Sequence, residues 1–143
     1  MLFRSIEPFE GGERLVASHD GYLAEYGLIH TRRLEIAADG RSLSGFDQLA
    51  GPHGAVRLAR DAPYAVRFHL HRKVECTADD DGLLTLLLSD SSRWRFAATG
   101  ADVSLEPSLH FADPSGTVRS RQIVLRGACW GETEMAWRLE QIS

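Results

Sequence analysis

The sequence predicts an all-β protein, an antiparallel two-layer β-sandwich of about ten strands with jelly-roll or supersandwich-like organisation. Three observations carry this. Turn signals recur roughly every ten residues, at Gly11-Gly12, Asp20-Gly21, Asp39-Gly40, Gly51 to Gly54, Asp79 to Gly82, Ser89 to Ser92, Gly100, Asp113 to Gly116 and Gly127 to Gly131. The runs between them alternate apolar and polar residues. No segment sustains a period of 3.6.

Taken in order, residues 1–13 lack a clean alternation and are expected to be an irregular or artefactual lead, followed by one sandwich domain over 14–143. Strands are expected at Leu15 to Ser18, Leu28 to Ala37, Ser42 to Leu49, Ala65 to His71, Val74 to Thr77 and Leu83 to Leu88. Four more follow at Arg93 to Ala98, Val103 to Phe111, Thr117 to Arg126 and Thr133 to Ile142. Tyr22 to Tyr26 is the one helical stretch, too short to stand alone. Gly51 to Pro63 is the longest irregular segment and is expected to be a surface loop.

Composition narrows the function classes. The chain has 143 residues, 43% hydrophobic and 25% charged, which suits one globular domain with its own core. Its net charge of −4 gives no general attraction to nucleic acid or to an anionic membrane, and neither is an expected partner. The longest apolar run, Leu83 to Leu88, is far too short for a membrane helix. The N-terminus carries one basic residue, Arg4, and no apolar core of a secretory signal. Of the 16 basic residues all but Lys73 are arginine, and asparagine is absent, a codon-usage pattern that makes arginine abundance a weak sign of binding. Two cysteines, Cys76 and Cys129, are too few for a disulfide framework or a zinc site and read as buried small hydrophobes.

The Asp39-Gly40 dipeptide favours a two-residue type I′ turn, so facing positions in that hairpin should sum to 79. Arg32 then lies opposite Asp47, His30 opposite Leu49, Leu34 opposite Gly45 and Ile36 opposite Leu43. Leu34, Ile36, Leu43 and Leu49 make this face apolar, so His30, Arg32 and Asp47 enter an apolar layer. A guanidinium there needs its carboxylate, which makes Arg32 and Asp47 a structural ion pair. The other reading is a groove in which Arg32 or His30 meets an anionic ligand.

Arg67-Phe68-His69-Leu70-His71 places Val66, Phe68 and Leu70 on one face and Arg67, His69 and His71 on the other. His69 and His71, with Glu75 and Gly82, resemble the first motif of the cupin family, which implies a metal site as an alternative. Pro63 stands where that motif begins with glycine, and the second motif's later histidine and asparagine are missing. No metal and no cofactor are therefore expected. His19-Asp20-Gly21-Tyr22 offers an imidazole, a carboxylate and a phenol at a tight turn, groups suited to proton transfer but most simply a turn. No nucleophile elbow, dinucleotide fingerprint or phosphate loop is present. Trp94 and Trp137 alternate with core residues, whereas Trp130 sits in a Gly-flanked loop as the exposed aromatic.

Read in order, Ala17-Ser18-His19-Asp20-Gly21-Tyr22, Gly27-Leu28-Ile29-His30-Thr31-Arg32-Arg33-Leu34, Gly45-Phe46-Asp47-Gln48-Leu49 and Arg67-Phe68-His69-Leu70-His71 resemble the C-terminal β-sandwich of bacterial heparinase II/III-family proteins. Trp94-Arg95-Phe96, Ser104-Leu105-Glu106 and Gln122-Ile123-Val124-Leu125 continue the resemblance. It implies a polysaccharide lyase with an α/α toroid ahead of the sandwich, cleaving uronate-containing polysaccharide by β-elimination. The family's catalytic Asn, Tyr and His and its zinc ligands lie in the toroid and the earlier sandwich strands, so no catalytic residue is carried over. The chain is expected to be a fragment, inactive alone, whose partners are the toroid and, through the parent enzyme, an acidic polysaccharide. His30, Arg32, His19 and Tyr22 are the candidate substrate-binding residues. The resemblance implies a bacterial periplasmic or envelope setting. A stand-alone carbohydrate-binding module is the alternative from a different class, with a cupin-like metal protein behind it.

Overall fold

The computed structural model describes residues 3–9, 11–52, 58, 62–113 and 116–143, and these described residues form eleven strands and one helical turn. In chain order these are β1 (Phe3–Phe9), β2 (Gly12–His19), α1 (Leu23–Tyr26), β3 (Ile29–Ala37), β4 (Ser42–Ala50), β5 (Ala62–His69) and β6 (Glu75–Ala78). There follow β7 (Leu84–Leu87), β8 (Arg93–Thr99), β9 (Asp102–Asp113), β10 (Gly116–Cys129) and β11 (Thr133–Gln141). An eight-stranded sheet runs β1-β2-β3-β4-β11-β8-β7-β6, and a three-stranded sheet runs β5-β10-β9, with every neighbouring pair antiparallel. Among the described residues no helix is long and apolar enough to cross a membrane.

Period-two burial builds the layers. Phe68, Ile123 and Leu125 from the small sheet meet Cys76, Leu84, Leu86, Phe96 and Trp137 from the large one in the main core. The Phe68 ring lies 4.8 Å from Trp137 and 5.4 Å from Phe96, both in inclined contact. Such aromatic pairs add to the area they bury. A second cluster joins Leu28, Leu49, Ala62, Cys129 and Met135. Cys76 and Cys129 are both free and buried, and burial pushes the Cys76 thiol above its ordinary pKa.

Within 1–13, expected to be an irregular or artefactual lead, Phe3–Phe9 instead form β1 and Gly12 and Glu13 begin β2, paired from Phe3 with Ser18 to Phe9 with Gly12. The weak alternation reflects position rather than disorder. As the sheet's edge strand, β1 leaves Ile6 65% exposed and can accommodate Pro8 without a central ladder bond. The expected loop Gly51 to Pro63 lies largely outside the described residues, although its last two, Ala62 and Pro63, open β5. The 22–26 stretch does form one helical turn, ended by Gly27 in the left-handed conformation with its N–H bonded to Leu23 O at 2.9 Å.

The β3–β4 register sums to 79 throughout, with Arg32 opposite Asp47 and Ile36 opposite Leu43. The turn differs from type I′. Gly40 N–H donates to Ala37 O at 2.9 Å and Gly40 has φ 70°, while Asp39 keeps a negative φ and accepts from Arg41 N–H at 2.9 Å. Register survives because the glycine still supplies the one left-handed residue the reversal needs.

Candidate functional site

The inner face of the large sheet changes from apolar to charged along β2, β3 and β4. His19 faces His30, Ala17 faces Arg32, and Arg32 faces Asp47, so these side chains share the face that carries Trp137 into the core. Asp47 has no solvent exposure. Its carboxylate accepts four hydrogen bonds: Arg32 Nε to Oδ1 at 2.7 Å, Arg32 Nη2 to Oδ2 at 3.2 Å, His30 Nε2 to Oδ1 at 2.7 Å and Trp137 Nε1 to Oδ2 at 3.1 Å. Burial pushes this carboxyl up, but the bonds from His30 and Arg32, the Arg32 charge and the indole N–H outweigh it. They hold Asp47 below the ordinary aspartate value.

The proton order of the imidazoles follows from their partners. Gly21 N–H, which can only donate, meets His19 Nδ1 at 3.2 Å, so Nδ1 is bare and Nε2 carries the proton. His19 Nε2 then donates to His30 Nδ1 at 3.0 Å, leaving His30 Nε2–H to donate to Asp47. Both rings are neutral, each in one tautomer, in a chain running from a surface amide to a buried carboxylate. Burial and the neighbouring His30 hold the His19 pKa below its ordinary value, with Asp20 opposing this.

Between the layers an open cavity of about 400 Å³ adjoins this cluster, lined by His19, Tyr22, His30 and Arg32 on one side and by Tyr64 and Arg67 of β5 on the other. The four residues singled out as substrate-binding therefore lie together. Tyr22 is 46% exposed with its ring 5.3 Å from His19, and the Arg32 guanidinium lies 5.9 Å from the Phe68 ring centre. Sequence reasoning missed Trp137 and Tyr64, because Trp137 reads as core and Tyr64 precedes the expected strand; Arg67, expected to face away from Val66 and Phe68, is exposed as that alternation requires and also borders the cavity. Burial pushes the Tyr64 phenol above its ordinary pKa, and its hydroxyl donates to Gly100 O at 3.0 Å.

The alternative metal residues are not assembled. His69 on β5 shares a hydrogen bond with Ser108 Oγ at 2.9 Å, His71 follows the strand and accepts from Lys73 N–H, and Glu75 lies on β6 of the other sheet. Among the described residues no three of His, Cys, Asp and Glu are grouped to hold a metal ion. Trp130 is 61% exposed, and Trp94 packs against the main core.

An eight-stranded sheet backed by a three-stranded one, with a charged cluster between them, defines a β-sandwich module. The family model for the heparinase II/III-like C-terminal domain matches residues 3–138, and the chain belongs to that family. FtsZ-localized protein C of Caulobacter vibrioides is 35% identical over 136 residues, covering 90% of this chain and 23% of that protein. Among solved structures, the heparan sulfate lyase HepC from Pedobacter heparinus matches with TM-score 0.73 at 12% identity, over 98% of this chain and 21% of its own. A heparinase III matches with TM-score 0.68 at 12% identity, over 97% and 21% respectively. The chain thus spans less than a quarter of the length of each of these proteins.

Proposed function

We propose that this domain is the sugar-facing, non-catalytic sandwich of a larger polysaccharide-lyase-like protein acting on uronate-containing polysaccharide by β-elimination. The observation that carries the reading is Arg32, bound to buried Asp47 and bordering a cavity with aromatic walls. Elimination needs a cation near the uronate carboxylate, a base for the C5 proton and an acid for the leaving oxygen. Arg32 suits the first task. The imidazoles suit the others poorly, since His19 and His30 have both ring nitrogens engaged in the chain to Asp47. Recognition by this domain, with proton transfer by residues elsewhere in a longer protein, is the division of labour these contacts support.

Isolated domain incubated with heparan sulfate, alginate and polygalacturonate tests this. Binding without growth of the unsaturated product's ultraviolet absorbance is expected. Turnover by the domain alone overturns the non-catalytic role, and lack of binding to any of the polymers overturns the sugar-facing one. A stand-alone carbohydrate-binding module would instead lose its binding on Trp130→Ala.

A second reading rests on the 35% identity to a protein named for its localisation with FtsZ, well above the 12% to the lyases. Under it, the parent protein works beside the bacterial division machinery. A fluorescent fusion of the full-length protein, imaged with FtsZ, separates the readings: coincidence at midcell supports it and uniform distribution removes it.

A further inference from the structure

We infer that the Arg32 cavity takes the carboxylate of an acidic sugar together with a proton, which the His19–His30 pair accepts as the ligand binds; this rests on the sugar-facing reading above.

The geometry starts at the guanidinium. Asp47 occupies the edge formed by Arg32 Nε and Nη2. The other fork, Nη1 with the second Nη2 hydrogen, has no partner among the described residues, and the side chain is 35% exposed beside the cavity. A planar fork of two parallel N–H groups matches a carboxylate. Tyr22 and Tyr26 on one side and Tyr64 on the other provide apolar ring surface for the C–H faces of a sugar.

Charge supplies the second step. The Arg32 and Asp47 charges cancel, and the imidazoles beside them are neutral, so an incoming carboxylate meets a cluster with no net positive charge. Taking an anion out of water into such a place is costly unless a cation accompanies it. Arg67 across the cavity is one source, although its field also reaches Glu106. The nearer source is a proton on the histidines. Among the described residues, the groups that face His19 are Asp20 and Tyr22 on its own turn and His30 on β3. Arg32 and Asp47 act on it through His30. A bound carboxylate adds a negative charge to this set and favours the imidazolium.

The hydrogen-bond order says what must give way. His30 lies between His19 Nε2–H and Asp47, so a proton added to either ring ends with Nδ1–H on His19, directed at the Gly21 amide that now donates to it. Two donors cannot share that contact. Release of the Gly21 N–H therefore reports every protonated arrangement.

Calorimetry with an unsulfated galacturonate trisaccharide, at one pH in buffers of different ionisation enthalpy, measures the linkage. A net uptake approaching one proton per ligand is expected near neutral pH, with affinity falling by up to about tenfold per pH unit as pH rises through the histidine range. On the wild-type domain the Gly21 amide resonance should shift with saturation, which requires no variant to fold. His19→Gln, which removes one of the two acceptors, should reduce the uptake and flatten the pH profile. Arg32→Lys, which keeps the charge but loses the fork, should weaken binding at least tenfold at every pH. Binding with no proton uptake and an unmoved Gly21 overturns this inference and leaves the sugar-facing role standing. Lack of binding at any pH overturns both readings at the ligand. A neutral sugar bearing only a sulfate ester that binds with equal affinity and uptake overturns the carboxylate assignment.

Discussion

The Trp137 indole reaches back across 90 residues of sequence to donate to Asp47 Oδ2. The two residues are diagonal across β4 and β11, since Asp47 pairs directly with Met135 and Trp137 with Gly45. The indole can lie across β4 because Gly45 has no side chain, and a Cβ there would overlap Trp137 Cε2 and Cζ2. The same ring packs on Phe68 of the opposite sheet. One residue thus ties the charged cluster to the apolar core, and changes in packing reach the site through it.

Asp47→Ala should destabilise the domain by about 3–5 kcal/mol, the cost of breaking a buried ion pair from one side. The Arg32 guanidinium, His30 Nε2–H and Trp137 Nε1–H would each lose their acceptor. Asp47→Asn keeps the shape but sets an amide N–H against a donor, and should also destabilise. Urea titration read by tryptophan fluorescence checks both, and a loss below about 1 kcal/mol, the range of an exposed pair, would contradict this account.

Gly45→Ala should cost about 1–3 kcal/mol or more, because the added methyl displaces an indole fixed by both Phe68 and Asp47. A glycine within a strand pattern signals a close approach, but only the pairing with Trp137 identifies what approaches. The expected signature is a lower urea midpoint with altered tryptophan emission.

How much of this could be read from the chain depended on where local chemistry fixed the partner. The β3–β4 register followed from one turn, and with it the Arg32–Asp47 contact, because a hairpin's two strands are neighbours in sequence. The β2–β3 pairing was not legible in the same way. Residues 20–28, including α1, separate those strands, so no two-residue turn sets their register, and the His19–His30 contact could not be placed. Trp137 read correctly as core from its alternation with Met135 and Leu139, but its polar edge has no signature in a pattern of apolar residues. The missed edge strand β1 has the opposite cause: with little of it buried, selection for alternation is weak there.

Acid should destabilise the domain through two groups that act in the same direction. Asp47 has a folded pKa below its ordinary value, so its contribution is complete above the unfolded aspartate pKa and is lost as pH falls through the folded one. His19 is also lowered. Its neutral form is favoured by folding, so that contribution is present above the unfolded imidazole pKa and is lost as pH falls through the lower folded value. Melting temperature should therefore decline in two stages on acidification, histidine first and carboxylate later. His19→Gln should remove only the earlier stage, and an unchanged profile in that variant would show that His19 is not the group responsible.

Trp130 and Trp137 make a controlled comparison, since one side chain is 61% exposed and the other 7%. Trp130→Ala should change stability by less than about 0.5 kcal/mol, as expected of a largely exposed side chain. Trp137→Phe keeps a ring against Phe68 but removes the indole N–H and part of the ring, at a cost of about 1–3 kcal/mol. It should leave a second mark that loss of packing alone would not. With one fewer donor on Oδ2, Asp47 is held less far below its ordinary pKa, so the acid limb of the stability profile should move to higher pH. Denaturation curves for Trp137→Phe across the acid range read both effects. A purely uniform loss, parallel to the wild-type curve at every pH, would mean that the indole supports the core without tuning the carboxylate.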